Sequence, residues 1–209
     1  MKRLAVVAAL IVVAVLGVLL WQRMDVDSRT FRLKATATIL VDGVERTGSA
    51  VQEYRLDWNW QPQVGNNGAW RLVVRGEAIR IDVPSEEPIY ALISADVAYD
   101  NCANRTGSQD QIKDSLLGLT RCEVKQLFPT TIRFDGSGNY QEAIAVHVGG
   151  EDRNGYRFAR MTFERTDDPI TEGRSPPDPW PDLDGPIKVR AGGGIYSISK
   201  QEFKQEYFR

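Results

Sequence analysis

A single histidine limits the catalytic chemistry open to this chain. His147 closes the alternating segment Ala143-Ile-Ala-Val-His-Val148, with parity opposite to Ile144, Val146 and Val148. An imidazole-based hydrolase would need it, with a nucleophile and an orienting acid that only folding can bring near. A strand histidine facing solvent or the opposite layer is the simpler expectation, and no residue is assigned as catalytic. A zinc site needs at least three protein ligands, which one His and two Cys without CxxC or HxxxH spacing do not supply. Asp182-Leu-Asp-Gly-Pro-Ile187 copies the middle of a calcium loop, but Trp180 and Ala191 stand where its end ligands belong. Gly192-Gly-Gly194 lacks the Lys and Ser/Thr of a phosphate loop and reads as a flexible turn. Asn104-Arg-Thr106 is a formal glycosylation sequon, relevant only in a eukaryotic secretory route. Glu86-Glu87 and Asp167-Asp168 are neighbours on turns, where carboxylates are solvated rather than paired. No metal and no cofactor is expected.

Trp58, Trp60 and Trp70 are the chemical surplus. Two of them lie at i, i+2 on one strand and the third at the start of the next. The three can line a shared face that binds a sugar ring, a peptide or an apolar ligand. An ordinary core of large side chains is the competing and favoured expectation.

Cys102 and Cys122 are the only cysteines. An even count in an exported domain predicts a disulfide. Export itself is indicated by the amino end. Lys2 and Arg3 precede an uninterrupted apolar run, residues 4–21. At about 1.5 Å per residue it spans roughly 27 Å, close to the hydrocarbon thickness of a bilayer. The run is long for a cleaved signal and ends Val18-Leu-Leu-Trp21, with no small-x-small site. The expectation is therefore a signal anchor over 1–24 in the inner (cytoplasmic) membrane. A single-pass chain would place residues 25–209 in the periplasm by the positive-inside bias. Secretion after cleavage is the alternative.

The part after residue 24 holds 23 basic and 28 acidic residues, a formal charge of −5 with both signs interspersed. Nucleic acid is excluded as a partner, because neutralising phosphates requires a basic face.

These residues must be positioned by strands. Phe31 to Val41 alternates apolar and polar residues, and Asp42-Gly43 follows as a type I′ hairpin turn. The returning strand runs from Val44 to Trp60, with a bulge expected at Thr47-Gly-Ser49. Its apolar face holds Ala50, Tyr54, Leu56, Trp58 and Trp60. Trp70 to Val83 reads as a long strand whose phase changes at Gly76, and Ile89 to Ser94 returns. Ser108-Gln-Asp-Gln111 is a capping box, and Ile112, Leu116 and Leu119 share a helical face, so a helix is expected near 109–117. Further strands are expected at 125–134, 140–148 and 156–165. A Pro-rich strap follows over 166–186, then a small hairpin over 187–198 and a short helix from Ser199 through Tyr207. The expected fold is mainly β. It is an antiparallel β-sandwich or partly open barrel with one or two short helices, preceded by the transmembrane helix.

The segment Ala37-Thr-Ile-Leu-Val-Asp-Gly-Val-Glu-Arg-Thr-Gly-Ser49 resembles the opening hairpin of uncharacterised bacterial membrane-anchored proteins. That resemblance implies export and no particular activity. The function expected is a non-enzymatic accessory or protein-interaction domain of the cell envelope, with an envelope protein as partner. A ligand-binding β domain using the Trp face is one alternative, and an enzyme of unrecognised type another.

Overall fold

The computed structural model describes residues 28–59, 69–93, 95–103, 108–124, 129–134, 142–148, 151–152, 155–172, 187–191 and 194–198. The apolar run 4–21, the connection 60–68 and the helix expected from Ser199 lie outside the described residues, as do the sequon and the calcium-like loop except Ile187. Among the described residues no helix is long and apolar enough to cross a membrane.

Among the described residues the fold is mainly β, with two sheets and two short helices. The first sheet has the order β3 (Ala69–Arg75), β2 (Val44–Asn59), β1 (Ser28–Val41), β10 (Tyr156–Arg165), β6 (Arg121–Glu123). The second runs β12 (Gly194–Ile198), β11 (Ile187–Ala191), β8 (Glu142–Val148), β7 (Thr130–Phe134), β5 (Ile89–Leu92), β4 (Ile79–Ile81), with β9 (Glu151–Asp152) beside β8. Neighbouring strands are antiparallel, apart from β8 and β11, which pair in parallel.

The β1–β2 hairpin is the spine. Asp42 and Gly43 both adopt positive φ, 50° and 80°, so the turn twists with its strands instead of splaying them. On β1 the alternating set Phe31, Leu33, Ala35, Ala37, Ile39 and Val41 is buried, and Ala50, Tyr54 and Leu56 answer it from β2. The bulge expected at Gly48 is absent: Thr38, Ala37 and Thr36 face Thr47, Gly48 and Ser49 in unbroken register. Gly48 is needed for a different reason. A Cβ there would lie 2.1 Å from the Arg80 carbonyl oxygen, because β4 crosses directly over it. The irregularity sits on the other side of β1, between Thr38 and Ile39 against β10.

Gly76, with φ 152°, ends β3 and lets the chain leave the first sheet for the second. The crossing is held by buried polar groups. Tyr54 Oη donates to Gln52 Oε1 at 2.8 Å, and Gln52 Nε2 donates to the Glu77 carbonyl at 3.3 Å. Gln52 is fully buried, so these bonds offset a desolvation that would otherwise cost about 1–3 kcal/mol. Burial also pushes the Tyr54 phenol pKa strongly upward. Ile79, Ile81, Ile89, Ala91 and Ile93 complete one core shared with the first sheet. Tyr90 and Phe134, also buried, meet edge to face.

Helix α1 (Ala95–Cys102) was not expected; α2 (Gln109–Leu117) was. The capping box on α2 is reciprocal: Gln111 N donates to Ser108 Oγ and Ser108 N donates to Gln111 Oε1. Ile112, Leu116 and Leu119 are its buried face. Cys102, the last residue of α1, is joined to Cys122 on β6, their Cα atoms 5.6 Å apart, within the usual disulfide range.

Beyond β10, residues 166–172 cross the outer face of the first sheet. Arg32 Nη1 donates to the Asp168 carbonyl, and Thr171 then pairs with Val51 as a short pseudo-strand. Val51 N donates to Thr171 Oγ1 at 2.8 Å and Thr171 N to the Val51 carbonyl at 3.0 Å, which covers Val51 on the outer face.

Candidate functional site

Trp58 and Trp70 are direct partners in the β2–β3 register. Two residues earlier on β2 and two later on β3, Leu56 faces Leu72 on the core side, and Tyr54 faces Val74. The Trp pair continues this register. The core thins toward it: Val74 is fully buried, whereas Leu72 is only partly so. Ser28, the first residue of β1, stands opposite Asp57, so the Trp pair lies level with the start of β1. Trp60 lies outside the described residues.

His147 takes its place in a row across three strands. Thr131 is its partner on β7 and Asp152 its partner on β9. A hydroxyl, an imidazole and a carboxylate in one row are the residue types of nucleophile, base and orienting acid. Thr131, however, is fully buried and its Oγ1 has no hydrogen-bond partner. A nucleophile must reach its substrate, so this row does not make a working triad in the folded state.

The tightest polar cluster among the described residues lies at the far end of β1, and nothing in the spacing of its members announced it. Arg133 on β7, Tyr156 at the start of β10 and Glu86 in the β4–β5 loop converge beside the Asp42-Gly43 turn. Tyr156 Oη donates to Glu86 Oε2 at 2.6 Å, and Arg133 Nη1 donates to the same oxygen. The Arg133 guanidinium also lies over the Tyr156 ring, 5.1 Å from its centroid. The loop carrying Glu86 is bent by Ser85 at φ 64° and closed by Glu86 N donating to the Val83 carbonyl. Burial, and then the hydrogen bond to Glu86, raise the Tyr156 pKa, so the hydroxyl stays a donor. One carboxylate oxygen thus takes two donors, one phenolic and one charge-assisted. The arrangement fastens a strained loop from the second sheet to the rim of the first.

Among the described residues, no three His, Cys, Asp or Glu side chains come together as a metal site. The glycine run at 192–194 forms the β11–β12 connection, with only Gly194 described. Of the carboxylate pairs, Glu86 is drawn into the rim cluster. At Asp167-Asp168 it is the backbone carbonyls that serve, as acceptors for Arg32. Comparison with family models, with curated proteins and with solved structures finds no match.

Proposed function

We propose that this chain is a bacterial envelope protein held in the inner membrane by residues 4–21, whose extracytoplasmic β domain acts as a non-enzymatic accessory or interaction module. The observation that carries the reading is the bond between Cys102 and Cys122, which ties α1 to an edge strand of the first sheet. Such bonds persist where thiols are not kept reduced, and the apolar run supplies the route to that compartment. The finer architecture, an antiparallel sandwich or partly open barrel behind a membrane helix, belongs to the same proposal. The clustered polar groups at the rim are consumed in fastening loops, which suits a binding scaffold better than a reaction centre.

Two measurements test it. Acid-trapped cells are treated with a thiol-reactive mass tag, which should leave Cys102 and Cys122 unmodified until a reductant is added; ready labelling would place the domain in a reducing compartment and end the proposal. Affinity purification of the full-length protein from cross-linked native membranes should then yield a stoichiometric envelope protein.

The register of Trp58 against Trp70 favours a second reading, a ligand-binding β domain. Intrinsic fluorescence that responds to an envelope saccharide or peptide would support it, and silence across such a panel would remove it.

A further inference from the structure

One edge of β2 is left open along the half nearest the hairpin turn. The two-residue turn Asp42-Gly43 makes Val41 and Val44 a pair that exchanges both hydrogen bonds, and the β1–β2 register runs on unbroken from there. Alternation then turns the N–H and C=O of Arg46 and Gly48 toward β1, and those of Glu45, Thr47, Ser49 and Val51 away from it. Val51 bears out this parity, because its outward N–H and C=O are the groups that bond Thr171. β3 covers the same edge only from Glu53 onward. Among the described residues nothing pairs with the outward backbone groups of Glu45, Thr47 and Ser49.

The open stretch, Val44–Ala50, lies between the turn and Thr171 and has none of the usual guards of an edge: no Pro, no Lys and no bulge in its register. Its one acidic side chain is drawn inward, since Glu45 Oε2 accepts from Arg160 Nη2 at 3.1 Å across β1. Val44, half exposed, is the one large apolar side chain left in solvent among the described residues. Side-chain size is graded along the stretch, large at Val44, Glu45 and Arg46 and small at Gly48, Ser49 and Ala50. Such a strand is complementary to itself turned end for end. About a two-fold axis at Thr47, Val44 meets Ala50 of the other copy, Glu45 meets Ser49 and Arg46 meets Gly48. Moving the axis to Glu45 or Arg46 sets like charges face to face. Moving it to Gly48 or Ser49 requires Val51, which Thr171 already holds. The pairing also answers a buried donor without a partner, Arg46 Nε, because the Arg80 carbonyl lies on the same side of Gly48 as an acceptor.

We propose that two copies of this chain pair along the Val44–Ala50 edge of β2, antiparallel about a two-fold axis at Thr47. The first sheet then continues from one protomer into the other through about six backbone hydrogen bonds, exchanged between Glu45 and Ser49 and between the two Thr47 residues. The inference goes beyond the proposed function by naming a second copy as partner, and it holds whether or not residues 4–21 anchor the chain. Because the axis stands normal to the sheet, two copies anchored in one membrane lay the sheet along it.

The test is sedimentation of the full-length chain in a density-matched mild detergent. Wild type is expected at twice the chain mass of 23.4 kDa. Thr47→Pro loses no backbone bond within the chain, because that N–H points away from β1. It removes the central pair of bonds between copies, so the dimer should weaken about 30-fold with the near-ultraviolet circular dichroism unchanged. With Cys102 and Cys122 already joined, Thr47→Cys should oxidise to a disulfide-linked dimer, its Cα atoms about 5.5 Å apart. Ser49→Cys should not, because each Ser49 faces Glu45 and the two lie about 13 Å apart along the strand. A single-copy mass for the wild type would overturn the proposal. So would a dimer that Thr47→Pro leaves intact, which puts the contact elsewhere, or equal cross-linking by Ser49→Cys, which refutes the register. The wild-type chain gives a check free of folding defects. Hydrogen exchange at the Glu45, Thr47 and Ser49 amides should quicken on dilution, and exchange independent of concentration would refute the pairing.

Discussion

A methyl group added at Gly48 tests how β4 crosses the first sheet. An ideal Cβ at that position lies 2.1 Å from the Arg80 carbonyl oxygen and 2.9 Å from both Arg80 C and Ile81 Cγ1. An ordinary carbon–oxygen contact is about 3.3 Å, so the backbone of β4 must retreat by roughly 1 Å. β4 is bound to β5 through Ile79–Ala91 and Ile81–Ile89, so it cannot yield at one residue. Its retreat would loosen Ile79 and Ile81, both fully buried. Overpacking of this kind costs about 1–3 kcal/mol, and a backbone obstruction belongs at the upper end. Taken over the 185 residues from 25 to 209, an unfolding entropy of about 2.1 cal/mol/K per residue converts about 3 kcal/mol into a fall in Tm of about 8 °C. Gly43→Ala is the control: φ is 80° but nothing lies within 4 Å. It carries only the backbone cost of a left-handed alanine, about 1 kcal/mol, or a Tm about 3 °C lower. Thermal unfolding of the full chain in mild detergent, followed by near-ultraviolet circular dichroism, separates the two. If Gly48→Ala lowers Tm no more than Gly43→Ala, β4 does not lie over Gly48 and the shared core must be redrawn.

Reducing the bond between Cys102 and Cys122 releases a loop of 20 residues. Chain entropy puts the loss at about 3 kcal/mol, read as a lower urea midpoint with reductant present. Thr171→Val strips the acceptor from the Val51 amide, whose hydrogen exchange should speed while stability falls by about 1 kcal/mol. The alkaline limb depends on buried phenols. Tyr54 keeps its proton in the fold well above the unfolded value of 10.0. Its stabilisation is therefore complete below pH 10 and is lost as pH rises further, by about 1.4 kcal/mol per pH unit until the folded group ionises. Tyr156, at the rim, shifts the same way. Urea titrations on both sides of that pH should show the decline, and Tyr54→Phe should make it shallower; an equal slope would refute the assignment.

Local signals proved readable where one face of a strand or helix decides its own register. Asp42-Gly43 between two alternating runs defined the β1–β2 hairpin, and the phase change at Gly76 marked a bend, but the one long strand expected over Trp70–Val83 is two strands, β3 and β4, in different sheets. Ser108 and Gln111 set the start of α2. What escaped were features decided by partners distant in sequence. Gly48 suggested a bulge because its real reason, the carbonyl of Arg80, arrives from another sheet. Ala95–Cys102 formed α1 although its buried residues, Val97 and Ala98, make too short an apolar face to show a period. β6 is only three residues long, and the parallel pairing of β8 with β11 joins segments without any local cue. The rim cluster draws on Glu86, Arg133 and Tyr156, each ordinary in its own neighbourhood. The Cys102–Cys122 pairing was legible because two cysteines allow one intramolecular pairing only.

The position of β1 also governs the order in which the protein can mature. Leu33 pairs with Gln52 on one side and with Arg165 on the other. A chain emerging from its amino end can close the first pairing once Gln52 has appeared, whereas the second waits for about 110 more residues, until Arg165. During that interval β1 offers an apolar strand with an open edge, the surface on which unfinished chains aggregate. The yield of folded protein should therefore depend on how soon β10 is delivered: slowing synthesis between residues 60 and 155 should lower it more than slowing synthesis after 172.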